Sequence, residues 1–373
     1  MSSSVDVSFV LPCLNENESL AHVLNEINTE FRNAEFCFEV IVADNGSTDG
    51  SIETAHQHGA KVINVSKRGY GAALMGGINA ALGQKIVMGD ADGSYSFHES
   101  KQMLALLDSQ CDLVVGNRFK GGIETGAMPF LHRYLGNPVL SFLGRKLFKL
   151  KVRDFHCGIR AFNRDAIIKM NLRSTGMEFA SEMLVLAGRK KMVIKEVPVT
   201  LKRDLRTRPP HLRTWADGWR HLRFLFAYSP SWTFLIPASV LAASSLFIGY
   251  QAVKGPIEIG NVELSNKSAI IAMSVGIVAV NSIWSFVLAR AVISESSNSR
   301  ALRTELLATF SILTVVTGIA LIVRLFQSWQ EANFARFSAS AEILSAVLGA
   351  SLIAVGGTSF FAVLLLGIIK SRK

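Results

Sequence analysis

A strand, a polar turn and a helix are predicted in succession by the stretch Phe38-Glu-Val-Ile-Val-Ala-Asp44-Asn-Gly-Ser-Thr-Asp49-Gly-Ser-Ile-Glu-Thr-Ala-His-Gln-His58. Aromatic and β-branched side chains favour a strand over residues 38–43. The Asn, Gly, Ser and Asp residues that follow favour a turn, because their side chains bond to nearby backbone or tolerate unusual dihedral angles. Residues 51–58 then predict a helix, so the stretch forms one strand–turn–helix unit.

The same order recurs on both sides of this unit. Strands are predicted at residues 7–12, 38–43, 60–65, 85–89 and 112–116, and helices at 19–31, 51–58, 72–82 and 97–107. Regular strand–helix alternation implies an α/β domain with a mostly parallel sheet that helices cover on both faces. Since ligands bind such sheets at the carboxyl ends of the strands, we expect the functional side chains there.

Four long apolar stretches follow Ser229-Pro230 and predict helices at about 231–253, 268–290, 305–324 and 343–369. About 20 helical residues are enough to cross a hydrocarbon core of about 30 Å. We therefore predict a first domain at residues 1–229 and a four-helix transmembrane region at 230–373. The inner parts of these helices carry no acid or base, which argues against an ion-coupled transporter.

Positive charge indicates the orientation in the membrane. The net charge is +10, and cations flank the predicted spans before Ser231, in the link with Arg290, Arg300 and Arg303, and in the tail at residues 370–373. Because cytosolic loops are enriched in Lys and Arg, the first domain and the C-terminus are expected in the cytosol. The N-terminal residues also lack a signal-peptide pattern. We expect an integral protein of the cell inner membrane.

Acidic and small polar residues follow three predicted strands. The first strand ends in Pro12-Cys-Leu-Asn-Glu16, the second in Asp44-Asn-Gly-Ser47 and the fourth in Asp90-Ala-Asp92-Gly93. Two carboxylates so close in sequence repel each other unless a hard divalent ion bridges them to a diphosphate. Asp90 and Asp92 are therefore predicted metal ligands. The alternative is that Asp92 caps the next helix.

A glycine-containing turn, Lys67-Arg-Gly69-Tyr-Gly71, precedes the third predicted helix. Its backbone amides could approach a phosphate, as amides at helix N-termini do. The alternative is an ordinary strand-to-helix turn. The chain has neither the G-x-G-x-x-G spacing of a dinucleotide site nor a Walker A motif at this place.

Together these motifs resemble those of family 2 glycosyltransferases. The resemblance is carried by Pro12-Cys-Leu-Asn-Glu16, Asp44-Asn-Gly-Ser-Thr-Asp49, Gly69-Tyr-Gly-Ala72, Asp90-Ala-Asp92 and Gly116-Asn-Arg118. Within the family, the chain is similar to polyprenyl-phosphate hexosyltransferases of the dolichyl-phosphate mannose and glucose synthase type. The resemblance covers roughly residues 5–225 and implies a Rossmann-like GT-A fold.

The resemblance also assigns the donor side of the site. It implies that the nucleotide sugar is bound by Pro12, Leu14, Glu16, Asp44, Ser47, Gly69 and Asp90. It further implies that Asp90 and Asp92 coordinate Mg²⁺ or Mn²⁺ together with the diphosphate. The chain departs from the family at Asn45, where an Asp is frequent, and at Ser94, where many members have a Gln that adds a metal ligand.

The acceptor side is assigned by Asp154-Phe-His-Cys-Gly158-Ile-Arg160, which resembles the acceptor motif of the same enzymes. The resemblance implies that Arg160 binds a phosphate and that Asp154 lies near the reacting centre, so that both join Asp92 as catalytic residues. His156 is either a general base or a hydrogen-bonding residue within the loop.

Further residues are assigned around this motif. Arg118, Arg203 and Arg206 are expected to bind the phosphates of donor and acceptor, because guanidinium forks suit phosphate oxygens. Glu182 matches an acidic family position and is expected either to orient an arginine or to be a surface charge.

Two segments, at residues 125–153 and 202–228, mix basic residues with Leu, Phe or Trp. Such a mixture is typical of segments that lie on anionic lipid. Nucleic acid is the competing partner for basic stretches. We expect lipid and no nucleic acid, because both segments precede predicted membrane spans.

These expectations combine into one function. We expect inverting transfer of a hexose from UDP-glucose or GDP-mannose to a polyprenyl phosphate at the cytosolic membrane face, as a step towards cell-envelope glycans. The alternatives are a glycolipid or polysaccharide acceptor, and a non-catalytic membrane scaffold that binds nucleotide sugars. Whether the chain forms a homo-oligomer is left open by the sequence.

Overall fold

The computed structural model describes residues 5–109, 111–206, 214–254, 257–259, 262–264, 268–293, 304–331 and 340–371. The chain forms two compact units, Met1–Leu225 and Phe226–Lys373. The domain boundary expected from the sequence, at Ser229, lies close to this division.

The first unit is built on a mixed sheet, which has eight strands among the described residues. They are β1 (Val7–Cys13), β2 (Phe38–Asp44), β3 (Lys61–Asn64), β4 (Lys85–Met88), β5 (Leu113–Asn117), β6 (Gly122–Ile123), β7 (Arg160–Asn163) and β8 (Ile194–Leu201). The strand order is β3-β2-β1-β4-β7-β5-β8-β6. Only β7, among these strands, runs antiparallel to its neighbours, with Arg160 opposite Met88 of β4. The predicted mostly parallel α/β fold is confirmed.

Helices connect the strands of the first unit. They are α1 (Asn17–Phe31), α2 (Ser51–Gln57), α3 (Tyr70–Ala80), α4 (Ser100–Leu107), α5 (Arg118–Gly121), α6 (Asn137–Phe148), α7 (Arg164–Ile168), α8 (Phe179–Arg189) and α9 (Thr214–Ala227). A π-helical turn, His132–Gly136, leads into α6, and a 3₁₀ turn, Phe97–Glu99, leads into α4. All five predicted strands and four predicted helices are present, with ends that shift by at most three residues.

Apolar spacing explains how these elements pack. On α1, the buried residues Leu20, Val23, Leu24 and Ile27 recur every three or four positions and form one face. β1 is buried along both faces, as a strand inside a helix-covered sheet must be. Each such large side chain contributes about 1.5–3 kcal/mol when it leaves water.

The register of the strands brings the polar motifs to one edge. Cys13 lies opposite Asp44, and Asp44 lies opposite Asn64, so β1, β2 and β3 end at the same level. Met88 lies opposite Val10, so the residues after β4 emerge at this edge as well. The sequence prediction that these motifs meet at the carboxyl edge therefore agrees with the register.

The second unit consists mainly of long helices. They are α10 (Ile236–Lys254), α11 (Ser268–Ile293), α12 (Thr304–Glu331) and α13 (Ser340–Ser371), and a π-helical turn, Ser231–Leu235, precedes α10. Among the described residues, four helices are long and apolar enough to cross a membrane, which confirms the predicted four-helix region. A short antiparallel strand pair, Ile257–Ile259 with Val262–Leu264, was not predicted. The Trp284 indole N–H donates to the Ser359 hydroxyl at 2.7 Å and links α11 to α13.

Candidate active site

Asp92 lies in the turn after β4 and has two partners. Its Oδ1 accepts the backbone N–H of Ser94 at 2.9 Å, and its Oδ2 accepts Nη2 of Arg206 at 2.7 Å. α4 begins only at Ser100, so the alternative that Asp92 caps this helix is wrong. The Asp92 carboxylate is instead directed towards a cation.

Asp90 is held by a tyrosine that the sequence reasoning missed. The Tyr70 hydroxyl, on the first turn of α3, donates to Asp90 Oδ1 at 2.9 Å. Burial and, after it, the negative charge of Asp92 raise the pKa of Asp90 to about 7. Two carboxylates that disturb each other in this way are stabilised by a shared cation.

Asp90 and Asp92 fit a divalent metal ion whose remaining ligands come from substrate phosphates and water. Among the described residues, no group of three or more His, Cys, Asp or Glu side chains is arranged to hold a metal ion. Mg²⁺ is commonly bound by only one or two carboxylates together with substrate phosphates and water. The Asp90 and Asp92 pair matches that arrangement. Ser94 donates its backbone N–H to Asp92, so its contact there is through the backbone.

The acceptor motif packs directly against Asp90. A Cβ placed on Gly158 would lie 2.4 Å from Asp90 Oδ2, so a side chain at this position would displace the carboxylate. The backbone N–H of Gly158 donates to the hydroxyl of the buried Tyr95 at 3.1 Å. The structure thus brings the two predicted halves of the site into contact.

Asp154 and Arg118 form a buried ion pair. Arg118 Nε donates to Oδ2 of Asp154 at 2.7 Å, and Nη2 donates to Oδ1 at 2.8 Å. Asp154 is fully buried, and 8% of the Arg118 side chain is exposed. Arg118 therefore already has a bidentate carboxylate partner, which disfavours the expected contact with a substrate phosphate. The expectation that Asp154 lies near the reacting centre stays a prediction.

Arg160 is also fully buried. Its guanidinium donates to the backbone carbonyl oxygens of Cys157, Ala180 and Phe155 at 3.1, 2.7 and 2.8 Å. Burial lowers its pKa. The expectation that Arg160 binds a phosphate is corrected, because its fully buried guanidinium is bonded to three backbone carbonyls in the interior. Arg160 supports the acceptor motif from inside.

Glu182 has a different partner from the expected arginine side chain. Its carboxylate accepts the backbone N–H of Arg173 and, at 2.7 Å, that of Ser174. Glu182 is buried on α8, which corrects the alternative of a surface charge. Glu182 therefore fixes the loop before α8 through its backbone amides.

The loop after β2 is organised by Asp44 and Asn45. The Asp44 carboxylate is fully buried and accepts the backbone N–H of Gly46 and Ser47. That burial disagrees with a direct contact between Asp44 and a bound base. The Asn45 amide donates to the Val65 and Lys67 carbonyls, and its oxygen accepts the Gly69 N–H at 2.7 Å. An Asp at position 45 could not donate these bonds, which gives this departure from the family a structural reason.

The other donor-side residues lie at the ends of β1 and β2. Pro12, Leu14 and Ser47 are half-buried, and the Ser47 hydroxyl accepts the backbone N–H of Asn15 at 2.9 Å. Glu16 is buried, and its Oε1 accepts Nη1 of Arg206 at 3.3 Å. These residues therefore lie around the same edge of the sheet as Asp92.

The donor strap, defined as residues 202–206, follows β8 and crosses the Asp92 turn. The backbone N–H of Lys202 donates to the Ser94 carbonyl, and that of Leu205 donates to the Asp92 carbonyl, both at 2.9 Å. Arg206 bonds to Glu16, Asp92 and Asp204. Arg203 is exposed, and its Nε donates to the Thr125 carbonyl.

His156 belongs to a cluster that no sequence motif indicated. Its Nε2 lies 3.5 Å from the Ser181 hydroxyl, which lies 3.0 Å from Nδ1 of His221 on α9. The two imidazole rings meet edge to face, with centroids 4.5 Å apart. Burial and then the proximity of His221 hold the pKa of His156 well below its usual value. His156 is therefore neutral. Its imidazole contacts Ser181 on α8, whereas its backbone N–H donates to Asp154 within its own loop.

The predicted interfacial segments expose apolar side chains. Between residues 129 and 148 these are Phe130, Leu131, Tyr134, Leu135, Val139 and Phe142, with Phe130 74% exposed. Arg133 and Lys146 lie over the rings of Tyr134 and Phe142. On α9, Trp215 and Trp219 are 78% and 62% exposed. Residues 207–213 of the second segment lie outside the described residues.

Known proteins resemble both parts of the chain. A family model described as glycosyl transferase family 2 matches residues 8–170, and one described as the glycosyltransferase family 2 C-terminal transmembrane region matches residues 295–370. The low-salt glycan biosynthesis hexosyltransferase Agl6 of Haloferax volcanii is 38% identical over 252 residues, which are 66% of this chain and 60% of that protein.

Two further relatives match most of their own length. An uncharacterized glycosyltransferase of Mycobacterium bovis is 33% identical over 52% of this chain and 84% of that protein. A dolichyl-phosphate hexose transferase of Haloferax volcanii is 31% identical over 52% of this chain and 82% of that protein. Glucosyl-3-phosphoglycerate synthase of Mycobacterium tuberculosis, solved with Mg²⁺ and UDP, has a TM-score of 0.49 at 21% identity, over 60% of this chain and 79% of that one. By its sequence relatives, the chain belongs to glycosyltransferase family 2.

Proposed function

We propose that the protein transfers a hexose, with inversion, from a nucleotide sugar to a polyprenyl phosphate at the cytosolic membrane face. UDP-glucose and GDP-mannose are the candidate donors. The observation that carries the proposal is the close approach of Gly158, in the acceptor motif, to Asp90 of the Asp90 and Asp92 pair. One site thereby joins carboxylates suited to a diphosphate-bound metal with a motif of the family's acceptor side.

Asp90 and Asp92 would hold Mg²⁺ or Mn²⁺, and the bound ion would neutralise charge on the departing nucleoside diphosphate. Tyr70 keeps Asp90 in place through its hydroxyl. Pro12, Leu14, Glu16 and Ser47 would surround the nucleotide, and Gly69 would present its turn to the donor. These donor contacts are part of the proposal.

On the acceptor side, a phosphate that is already ionised at pH 7 can attack the anomeric carbon without a strong general base. A neutral His156 is compatible with such an acceptor. Because Arg118 and Arg160 are occupied inside the protein, phosphate binding falls to the donor strap, with Arg203 and Arg206 as the candidates.

A lipid acceptor is supported by features outside the site. Four apolar helices suited to cross a membrane make the protein an integral membrane protein. Phe130 and Tyr134, with Arg133 beside them, suit a lipid surface that carries negative charge. The dolichyl-phosphate hexose transferase among the relatives is named for a lipid phosphate of this class. The cations that flank the spans support the proposed cytosolic orientation, and the cell inner membrane is part of the proposal.

The proposal is tested with membranes that contain the full-length protein. They are incubated with UDP-glucose or GDP-mannose and undecaprenyl phosphate, and the lipids are analysed by mass spectrometry. We expect a hexosyl phosphate lipid from one donor. Asp92→Ala should reduce its formation by about a thousandfold or more, since a metal supplies several kcal/mol of stabilisation to the developing charge.

The matched control is Asp165→Ala on α7, because the Asp165 side chain is 78% exposed and lies on the helix after β7, away from the carboxyl edge of β4. This variant should keep full activity. Full activity of Asp92→Ala would contradict the mechanism. Sugar transfer only to a glycolipid or polysaccharide would contradict the acceptor, and donor binding without turnover on any acceptor would favour a scaffold.

A further inference from the structure

Arg206 lies where a cation of the donor site would be expected. Its Nη2 is 2.7 Å from Asp92 Oδ2, and its Nη1 is 3.3 Å from Glu16 Oε1. Asp204, on the same strap, bonds to Nη2 at 2.9 Å. One guanidinium thus neutralises two carboxylates that come from the ends of β1 and β4, one of which is a candidate metal ligand.

The backbone of the donor strap fixes this position. The N–H groups of Lys202 and Leu205 donate to the carbonyls of Ser94 and Asp92, so the strap pairs with the turn that carries Asp92. Gly93, at the centre of this turn, has φ +75°, and a Cβ there would lie 2.8 Å from Leu205 Cδ1. A side chain at position 93 would be strained by this backbone conformation and would displace the Leu205 side chain. The placement of Arg206 is therefore built into two segments and is not an accident of one long side chain.

The surroundings make the contact strong. Only 12% of the Arg206 side chain is exposed, and the Asp92 side chain is equally covered. Burial opposes the charge of Arg206, but Asp92, Glu16 and Asp204 outweigh it and raise the pKa of the guanidinium. Interactions between charges strengthen when water is excluded. The guanidinium therefore stays charged while it holds Asp92.

A divalent cation at Asp92 would meet Arg206 at close range. Both would draw on the Asp92 carboxylate, and two positive groups on one carboxylate repel each other more strongly in a covered site than in water. This repulsion falls if the guanidinium moves from Asp92 to other negatively charged oxygens. A diphosphate provides them, because the planar fork of arginine suits phosphate as well as carboxylate.

We propose that Arg206 is a built-in counter-ion of the donor site, which neutralises Asp92 and Glu16 until a divalent cation and a nucleoside diphosphate arrive together. Arg206 then exchanges the two carboxylates for diphosphate oxygens. Without the nucleotide, a metal ion has to displace Arg206 from Asp92 while no diphosphate oxygens are present to bind the guanidinium. The metal ion alone therefore binds weakly. Metal and nucleotide each strengthen the binding of the other, and by linkage the two effects are equal. This inference rests on the proposed function of the same site.

The experiment measures Mn²⁺ binding to the full-length protein in detergent by electron paramagnetic resonance, with and without UDP or GDP. The variants are Arg206→Gln, Arg206→Lys and Lys202→Gln. Lys202→Gln is the matched control, because it removes one positive charge from the same strap and the Lys202 side chain is exposed. Thermal unfolding of each variant shows that it is folded.

We expect Arg206→Gln to bind Mn²⁺ alone about tenfold more tightly than the unmodified protein, the size of a lost hydrogen bond between charged groups. The nucleotide should then strengthen Mn²⁺ binding less than it does in the unmodified protein. Arg206→Lys keeps the charge but loses the fork, so its affinity for Mn²⁺ alone should rise by a smaller factor, about threefold. Lys202→Gln should leave the affinity for Mn²⁺ alone unchanged.

Unchanged or weaker binding of Mn²⁺ alone by Arg206→Gln would overturn the counter-ion role. If Arg206→Gln does not fold, Arg206→Lys decides by the same criterion. In either case the proposed function survives, provided that the unmodified protein still binds Mn²⁺ with UDP or GDP. If no form of the protein binds Mn²⁺ even with a nucleotide, both the counter-ion role and the proposed metal site are overturned.

Discussion

The donor and acceptor halves of the candidate site use the same charged residue types in different ways. On the donor side, Asp92 bonds to Arg206, whose side chain also reaches Glu16 and Asp204. On the acceptor side, the fully buried Asp154 bonds to Arg118, and no second carboxylate forms an ion pair with Arg118 in the part of the chain that the structure describes. In the donor half, Asp92 is therefore paired with an arginine that can change partners. In the acceptor half, the ion pair between Asp154 and Arg118 is a permanent part of the folded structure.

The largest expected difference between the halves is in stability. Asp154→Ala leaves the Arg118 charge buried without its partner, and we expect it to lower the free energy of unfolding by about 3–5 kcal/mol. Asp92→Ala should cost about 1–2 kcal/mol, because Arg206 keeps Glu16 and Asp204 as partners. Chemical denaturation of both variants in detergent, followed by circular dichroism, measures the two losses. Equal losses would remove the distinction between exchangeable and permanent partners.

A smaller effect is expected when the hydroxyl group is removed from Tyr70 or from Tyr95. The Tyr70 hydroxyl contacts the donor half of the site, and the Tyr95 hydroxyl contacts the acceptor half. Tyr70→Phe removes the donor to Asp90 Oδ1 and should weaken Mn²⁺ binding in the presence of UDP or GDP about tenfold, as the loss of a residue that orients a metal ligand does. Tyr95→Phe removes the acceptor for the Gly158 N–H and should instead cost about 1 kcal/mol of stability. Calorimetric titration and thermal unfolding separate the two outcomes. Equal effects on Mn²⁺ binding would contradict the assignment of Tyr70 to the donor half.

The smallest expected effect concerns pH and the acceptor half. The pKa of His156 is lowered in the folded protein, so between that value and the ordinary value the unfolded chain binds a proton that the folded chain does not. The free energy of unfolding should therefore fall as the pH decreases below about 6.5, by about 1 kcal/mol between pH 7 and 5.5. His156→Gln removes this contribution, so its stability should depend less on pH over that range. Thermal unfolding at several pH values measures the difference, and an unchanged pH dependence would argue against a neutral, buried His156.

Much of the fold followed from local patterns in the sequence. The buried positions of α1 recur at helical spacing, and Asp90 and Asp92 follow an apolar strand, so short segments were enough to indicate the elements and the site edge. The family resemblance then indicated which motifs belong together. Tyr70 stood within a quoted motif, but nothing local indicated that its hydroxyl would reach Asp90.

The misassigned residues depend on contacts between distant parts of the chain. Arg160 resembles a phosphate ligand in sequence, and its burial depends on carbonyls supplied by its own loop and by Ala180 on α8. Arg118 meets Asp154 across 36 residues of sequence. A charged side chain looks alike in sequence whether it faces a ligand or the interior, and only the packing of the other elements decides between these roles.

The direction of β7 has a consequence for how the site is assembled. Because β7 runs against β4 and β5, its first residue, Arg160, lies beside the last residue of β4 and near the end of β5. The acceptor motif precedes β7 and so reaches the edge where Asp90 emerges. A parallel β7 would have delivered the same motif to the far side of the sheet, about 10 Å or more away at the rise of a four-residue strand. The reversal of a single strand thus brings two motifs that are far apart in the sequence to one edge of the sheet.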